Sequence, residues 1–187
     1  MRALAALLLI GLAVLWGVVP AHAESRLYVG APIAFNFTGD IEGAADSASG
    51  YTAGWGFPFH LGLGLTRIGA EGKDDLNKIK IKTSYSLVDL FAWFRAWRLD
   101  WQIGYGRGNA KLESLQDASG ALFDADEADA SQWFLTAGLP LGQRFAIHLG
   151  YHSVRAESPS LRANGVDTGK FVLDGNAWTL GFQIAFN

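Results

Sequence analysis

The sequence has no cysteine, and this absence excludes several kinds of chemistry and attachment. Without a thiol the chain has no disulfide, no thiolate nucleophile or metal ligand, and no cysteine to carry a lipid anchor. An excess of positive charge is also lacking, because 15 Lys and Arg stand against 18 Asp and Glu, for a formal net charge of −3. Proteins that bind nucleic acid carry a basic footprint. We therefore expect no nucleic acid among its partners.

Long apolar runs are missing too, except for one at residues 4–19. Arg2 precedes that run, and Pro20 and the small-residue pattern Ala-His-Ala at residues 21–23 follow it. This arrangement is typical of a secretory signal peptide, whereas an uncleaved membrane helix needs about 20 apolar residues and a stop-transfer flank. We expect cleavage after Ala23, which leaves residues 24–187 as one domain. Loss of Arg2 then changes the net charge from −3 to −4.

The rest of the chain is rich in glycine and aromatic residues and alternates apolar with small or polar positions. Between residues 51 and 65 every odd position is apolar, namely Tyr51, Ala53, Trp55, Phe57, Phe59, Leu61, Leu63 and Leu65. Soluble sandwiches and lipocalin-like barrels also alternate, but here the even positions are mostly glycine. Glycine suits a crowded barrel interior and would be a wasteful choice for a solvated outer face. The sequence therefore predicts an all-β fold, a closed antiparallel transmembrane β-barrel.

An even strand count requires the run at residues 51–65 to be split. Pro58 cannot donate a ladder hydrogen bond, so we place a tight turn at Pro58 to His60. Eight strands result, with both termini and the short turns expected on the periplasmic side and the long loops outside. The expected strands outside the split run are residues 27–37, 78–94, 99–111, 130–139, 144–155 and 176–186, and the long loops are 38–49, 112–129 and 156–175.

Two strands receive specific orientations. In the first strand, alternation from Leu27 places Phe35 and Phe37 on the lipid-facing side. In the fourth strand the apolar positions change from odd to even, because Tyr85 and Leu87 are followed by Val88 and Leu90. A β-bulge near Leu87 would produce such a change of parity.

The last strand carries a pattern known from other proteins. A polar residue, Thr179, is followed by Gly181 and then by large apolar residues, Ile184 and Phe186. This resembles the carboxy-terminal assembly signal of outer-membrane proteins, and the overall plan resembles the small barrels of the OmpA/OmpX type. The resemblance implies recognition by the barrel-assembly machinery, integral residence in a Gram-negative outer membrane, and contact with outer-membrane lipid and lipopolysaccharide. It does not identify a partner for the loops.

Five polar residues are predicted to face the lumen: His60, Asp100, Gln102, His148 and His152. A charge inside a narrow barrel must be paired or hydrogen-bonded, which favours a lumen polar network. His148 and His152 lie four residues apart on one strand, roughly 13 Å at the strand rise, which is too far for one metal ion. We expect no metal. A cofactor is not expected either, because no helix follows the glycine-rich segment 104–108 to hold a phosphate.

An eight-stranded barrel leaves an interior only wide enough for side chains. The sequence therefore favours a non-enzymatic barrel with a filled lumen and a structural or surface-interaction role. The alternative is a lipid A-modifying enzyme, because outer-membrane lipid A deacylases resemble this chain in size. Its candidate residues are His152, Ser153 and Glu157, although adjacent strand residues point to opposite faces.

Overall fold

The computed structural model describes residues 24–74, 79–116, 122–125, 127–163 and 166–186. The expected signal peptide, residues 1–23, lies outside the described residues. Among those that are described, no helix is long and apolar enough to cross a membrane. The strands are β1 (Ser25–Thr38), β2 (Glu42–Ala44), β3 (Ser47–Gly56), β4 (Leu61–Asp74), β5 (Ile79–Ala96), β6 (Leu99–Gln116), β7 (Leu122–Ala125), β8 (Ala128–Pro140), β9 (Phe145–Ala163), β10 (Val166–Val172) and β11 (Gly175–Phe186).

Eight long strands form a closed antiparallel ring. Each of β1, β3, β4, β5, β6, β8, β9 and β11 pairs with the next, and β11 returns to pair with β1. In the closing pair, Ser25 lies opposite Phe186 and Phe37 lies opposite Gly175. The predicted eight-stranded barrel is confirmed. The turn predicted at Pro58 to His60 is also present, between β3 and β4, where the His60 amide donates to the Phe57 carbonyl at 3.1 Å.

The two ends of the barrel differ. One end of the barrel holds the short turns together with Ser25, the first residue of β1, and Phe186, the last residue of β11; we call it the turn end. We call the opposite end the loop end. At the loop end the predicted long loops are largely additional strand: β2 pairs with β1, β7 with β6 and β9, and β10 with β9. Crossing a bilayer takes about 9–11 strand residues. Because β5, β6 and β9 have 18, 18 and 19 residues, the wall continues well beyond one bilayer crossing.

The polarity of the wall reverses along the barrel. Near the turn end, outward side chains are apolar; they form what we call the belt, including Val29, Leu63, Leu65, Val88, Leu90, Ile103, Leu135, Ile147, Leu149, Leu180 and Phe182. Nearer the loop end the outward positions become polar, and an apolar cluster fills the interior instead. The cluster includes Phe35, Phe37, Ile68, Ile81, Tyr85, Leu87, Leu112, Val154 and Leu173. The outer surface of the barrel is therefore suited to lipid near the turn end and to water near the loop end.

This reversal corrects the prediction for β5. The predicted bulge near Leu87 is wrong, because Leu87 is buried and Val88 exposed within one uninterrupted alternation. Tyr85 and Leu87 fill the loop-end interior, whereas Val88 and Leu90 belong to the belt. The environment of the strand changes, not its parity. The pairing of β5 with β6 does shift, but between Lys82 and Thr83, nearer the loop end.

The predicted orientation of Phe35 and Phe37 on β1 is also wrong, but here the reason is a bulge that was not predicted. Phe35 and Phe37 are buried inside the barrel, because the register with β11 shifts between Pro32 and Ala34. A bulge adds one residue and reverses the faces of everything after it. The bulge lies next to Pro32, and proline within a sheet is often found at a bulge because it cannot donate a ladder hydrogen bond.

Candidate functional site: the lumen

The lumen is filled by large side chains that fit against glycines paired with them on the neighbouring strands. A Cβ added at Gly62 would lie 2.2 Å from the Phe91 ring, and one at Gly104 would lie 2.3 Å from the Phe134 ring. Both rings are buried, with centroids 6.4 Å apart. The cavity beside them, lined among others by Tyr28 and His152, has a volume of only about 10 Å³. That is roughly the space of one water molecule.

A chain of hydrogen bonds crosses the lumen at this level and joins five strands, β4, β5, β8, β9 and β11. The Asp89 carboxylate accepts from the Thr66 hydroxyl and from Gln132 Nε2, both at 2.6 Å. The Gln132 carbonyl oxygen lies 3.2 Å from His152 Nδ1, and His152 Nε2 lies 3.2 Å from the Thr179 hydroxyl. All five side chains are buried. Each therefore depends on the others for partners that water would otherwise supply.

An ionic cluster lies at the turn end of the lumen. Arg26 Nη1 lies 3.1 Å from Asp100 Oδ1, and Arg26 Nη2 lies 3.1 Å from Glu24. Arg95 reaches the same Asp100 carboxylate through Nε at 2.8 Å and Nη2 at 3.2 Å. The guanidinium of Arg26 also stacks 3.9 Å from the centre of the Trp93 ring. Asp100 is thus held between two arginines, and buried Arg26 is shielded by an aromatic face.

Between these two groups lie His148, Gln102 and Gln183. Gln102 Nε2 donates to Gln183 Oε1 at 3.1 Å, and the His148 ring lies 5.9 Å from that of Tyr28. Gly138 makes room for the His148 imidazole, since a Cβ there would come within 2.4 Å of it. Neither ring nitrogen of His148 has a hydrogen-bond partner among the described residues. This level of the lumen is polar, packed and closed to solutes.

No family model matches the chain, and no characterised protein matches it by sequence. Solved structures do. Neisserial surface protein A matches with a TM-score of 0.59 at 11% identity, over 87% of this chain and 97% of its own. The attachment invasion locus protein Ail of Yersinia pestis gives 0.53 at 15%, over 89% and 100%. A major outer membrane protein of Thermus thermophilus gives 0.55 at 11%, over 89% and 100%.

The fold is that of the small outer-membrane β-barrels. At these identities the likeness concerns the fold alone, and such a fold supports many functions.

Four of the five sequence-predicted lumen residues are buried inside the barrel, namely Asp100, Gln102, His148 and His152. His60 lies instead in the turn between β3 and β4, half-buried, with its Nδ1 3.2 Å from the Trp93 carbonyl oxygen. Two central residues, Arg26 and Asp89, were missed. Arg26 could have been found from its even position on the first strand, shared with Tyr28 and Gly30.

The candidate enzymatic residues are not assembled into one site. His152 faces the lumen, and Ser153 is partly exposed on the outer face. The register of β9 with β8 and β11 is continuous across both residues, so no bulge brings them together. Glu157 is exposed and accepts a hydrogen bond from Lys170, which raises the pKa of Lys170. Within the described residues no group of three His, Cys, Asp or Glu could hold a metal ion.

The residues of the expected assembly signal divide between the two faces of β11. Thr179 is buried in the lumen against His152, and Gly181 lies opposite Gly30 of β1. Ile184 pairs with Leu27 of β1 on one side and with Phe145 of β9 on the other. Phe186 is exposed, with its ring stacked 6.0 Å from that of Trp55.

Proposed function

We propose that the chain is an integral outer-membrane barrel with a closed lumen that acts through its outer wall and loop end, in a structural or surface-interaction role. The observation that carries the proposal is the combination of a lipid-compatible belt with an interior in which the described side chains leave no passage. A pore needs an open lumen. A barrel with a filled lumen must instead act through its outer surface.

The belt supports membrane residence. Large apolar side chains are exposed on all eight long strands near the turn end, and a soluble protein rarely exposes such a continuous apolar surface. Aromatic residues border the belt at both edges, as expected at the two interfaces of a bilayer. At the loop-side edge the rings of Trp133, Tyr151 and Trp178 follow one another at 5.4 and 5.2 Å. At the turn-side edge lie Phe59, Trp97, Phe145 and Phe186.

Closure of the lumen argues against passive transport. Phe91, Phe134 and the hydrogen-bonded chain through Asp89 fill one level, and the pair of arginines around Asp100 fills another. Nearer the loop end the apolar cluster is covered by the segment after β10, where Leu173 is buried and its carbonyl accepts from the Tyr85 hydroxyl at 2.7 Å. Across residues 24–74, 79–116, 122–125, 127–163 and 166–186, the side chains of these layers leave no route for solutes larger than water.

The names of two structural neighbours refer to the cell surface or to attachment: Neisserial surface protein A and the attachment invasion locus protein of Yersinia pestis. For this chain they suggest only a role at the cell surface. In this proposal the export signal is residues 1–23, both termini are periplasmic, and the carboxy-terminal strand is read by the barrel-assembly machinery. Outer-membrane lipid and lipopolysaccharide surround the belt.

Three measurements test the proposal. Cell fractionation should recover the protein in the outer membrane, where it runs as a heat-modifiable band on gels. The purified barrel should give no stepwise conductance in planar bilayers. Recovery in the soluble periplasmic fraction, or stable single-channel currents, would contradict the proposal.

The topology is tested separately. A mature amino terminus at Glu24 is expected from sequencing of the purified protein, and a start far from Glu24 would contradict the signal assignment. An epitope inserted after Gly43 at the loop end should be accessible on intact cells, whereas one joined to the amino terminus of the mature chain should be accessible only after permeabilisation. The reverse pattern would invert the proposed orientation.

A further inference from the structure

Charge is distributed unevenly around the outer wall. Beyond the belt, the described outward side chains of β4, β5 and β6 include six basic residues and two acidic ones: Arg67, Lys73, Lys80, Lys82, Arg107 and Lys111, against Glu71 and Glu113. The next strands around the wall, β8 and β9, carry both signs, with exposed Asp129 and Glu157 against exposed Arg155 and Arg162. The chain as a whole has a net charge of −3. A basic face on an acidic protein needs a specific explanation, and anion binding is the simplest.

The basic face begins where the belt ends. Arg67 follows Leu65 by one alternation on β4 and lies opposite Tyr51 of β3. Arg107 follows Tyr105 on β6, with its Nε 3.4 Å from the Tyr105 hydroxyl. Both arginines therefore stand beside aromatic residues at the loop-side edge of the belt. If the belt lies in lipid, these guanidinium groups lie at headgroup level.

A groove of about 400 Å³ opens on this face. Its floor is formed by small residues, since Gly69 lies between Ser49 of β3 and Ser84 of β5. Its charged lining is mixed, with Arg67 and Lys82 beside Glu71 and Glu113. The groove is therefore shallow in the middle and rimmed by charge, which suits a polar group of several atoms.

The cations of this face differ in how far they are already paired. Lys82 lies 2.8 Å from Glu71 and 3.4 Å from Glu113, so its charge is balanced. Arg67 and Lys111 have no carboxylate within ion-pair distance in the part of the chain that the structure describes. Lys73 lies directly opposite Lys80, and both are exposed. Like charges directly opposite each other destabilise a sheet, and a bound anion would relieve the repulsion.

We propose that this face, which we call the β4–β6 basic face, binds the phosphorylated headgroup of an anionic glycolipid in the surrounding leaflet. Arg67, Arg107 and Lys111 contact the phosphate nearest the membrane, and Lys73 and Lys80 contact anionic groups further out. The ligand is a lipid rather than free phosphate because the belt continues directly below the arginines, where Leu65 and Val88 lie opposite each other and meet the acyl chains. Phosphate recognition by guanidinium groups is charge-assisted and bidentate.

This inference rests on the proposed membrane residence, so the experiment separates the two. The full mature barrel is refolded in a neutral detergent, and its folding is confirmed by heat modifiability. Binding of purified lipopolysaccharide is then compared with binding of the same lipid after removal of its phosphates, and inorganic phosphate alone serves as the probe for a free-anion site. The variant is Arg67→Gln/Lys111→Gln. The matched control is Arg155→Gln, which removes an exposed cation from β9 beyond the belt.

We expect the double variant to weaken binding of the phosphorylated lipid by roughly 25-fold, on the order of fivefold for each cation removed near an anionic headgroup. The control should change binding by less than about twofold, and the dephosphorylated lipid should bind wild type and double variant alike. Equal binding of the phosphorylated lipid by all three proteins would overturn the inference, as would inorganic phosphate binding as tightly as the lipid. A barrel that fails to enter membranes would instead overturn the proposed function.

Discussion

Gln132 Nε2 donates a 2.6 Å hydrogen bond to Asp89 Oδ1 across the lumen and so ties β8 to β5. Gln132 also serves His152 through its carbonyl oxygen. Replacement Gln132→Leu removes both interactions, leaving a buried carboxylate with Thr66 as its remaining side-chain donor. We expect the free energy of unfolding to fall by about 2–4 kcal/mol, because an unsatisfied buried polar group costs about 1–3 kcal/mol and a charged one more. Urea titration of the barrel in lipid vesicles measures this.

The matched control is Asp89→Asn. The asparagine side chain can still accept from Gln132 and can donate to the Thr66 hydroxyl, without a buried charge. Its effect should be below that of Gln132→Leu. If Asp89→Asn cost more than Gln132→Leu, the negative charge itself, rather than the hydrogen-bonded chain, would be what this level of the lumen requires.

A second prediction concerns the turn-end cluster. Asp100→Leu leaves buried Arg26 without its lumen carboxylate, whereas Arg95 is exposed enough to turn to solvent. Breaking a buried ion pair by removing one partner costs about 3–5 kcal/mol, while replacing both with apolar residues is often nearly neutral. Arg26→Met/Asp100→Leu should therefore be more stable than Asp100→Leu alone, by the same urea titration. Equal stability of the two variants would show that Glu24 and Trp93 suffice for Arg26.

The barrel and the inward or outward direction of most of its side chains could be predicted from the sequence, because the alternation of apolar residues and the positions of glycine can be read within a single strand. The prediction failed at Leu87 and Val88, where the apolar residues change sides. A strand in one constant environment can show such a change only through a bulge, but a strand that passes from lipid to water shows it without one. Only the full length of β5, 18 residues, reveals that two environments are present.

The lumen network was predicted in part for a related reason. His148, His152 and Gln102 lie on strands whose alternation is regular, so their inward direction could be deduced. Asp89 was missed because the assumed bulge made its direction uncertain, and its partners Thr66 and Gln132 lie 23 and 43 residues away. Contacts across a barrel depend on the register of every strand between them. A single sequence does not encode that register locally.

A third prediction tests the fit of ring against glycine. Gly62→Ala places a methyl group where the Phe91 ring now lies, at 2.2 Å. Overpacking of this kind costs about 1–3 kcal/mol. Phe91→Leu should cost stability alone but should restore part of the loss when combined with Gly62→Ala, which a double-mutant cycle measures. Additive effects would mean that the two residues do not compete for space.

The belt is tested by moving a charge along the wall. Leu63→Arg should lower stability in vesicles by about 2–4 kcal/mol if the site lies near the bilayer midplane. Asn36→Arg places the same charge on an exposed position of β1 beyond the belt and should change stability by less than about 1 kcal/mol, as is usual for an exposed substitution. Equal tolerance at the two sites, measured by urea titration in the same vesicles, would contradict the proposed position of the bilayer.

The final prediction concerns closure of the barrel by β11. Its turn-end residues pair on both sides, since Ala185 lies opposite Arg26 of β1 and its amide donates to the Arg144 carbonyl at 2.7 Å. Deletion of residues 184–187 removes these pairs and with them Ile184 and Phe186 of the expected assembly signal. In lipid each unpaired backbone group costs several kcal/mol. We therefore expect no heat-modifiable protein in the outer membrane and degraded or periplasmic protein instead.

Deletion of Asn187 alone is the control, because it leaves the pairing of Phe186 with Ser25 in place. That variant should assemble like the full chain, as judged by heat modifiability and protease resistance of the outer-membrane fraction. Suppose that the four-residue deletion also gave a protease-resistant barrel in the outer membrane. The register between β1 and β11 would then have to slide to close the ring without those residues, and Thr179, Gly181, Ile184 and Phe186 could no longer be regarded as the assembly signal.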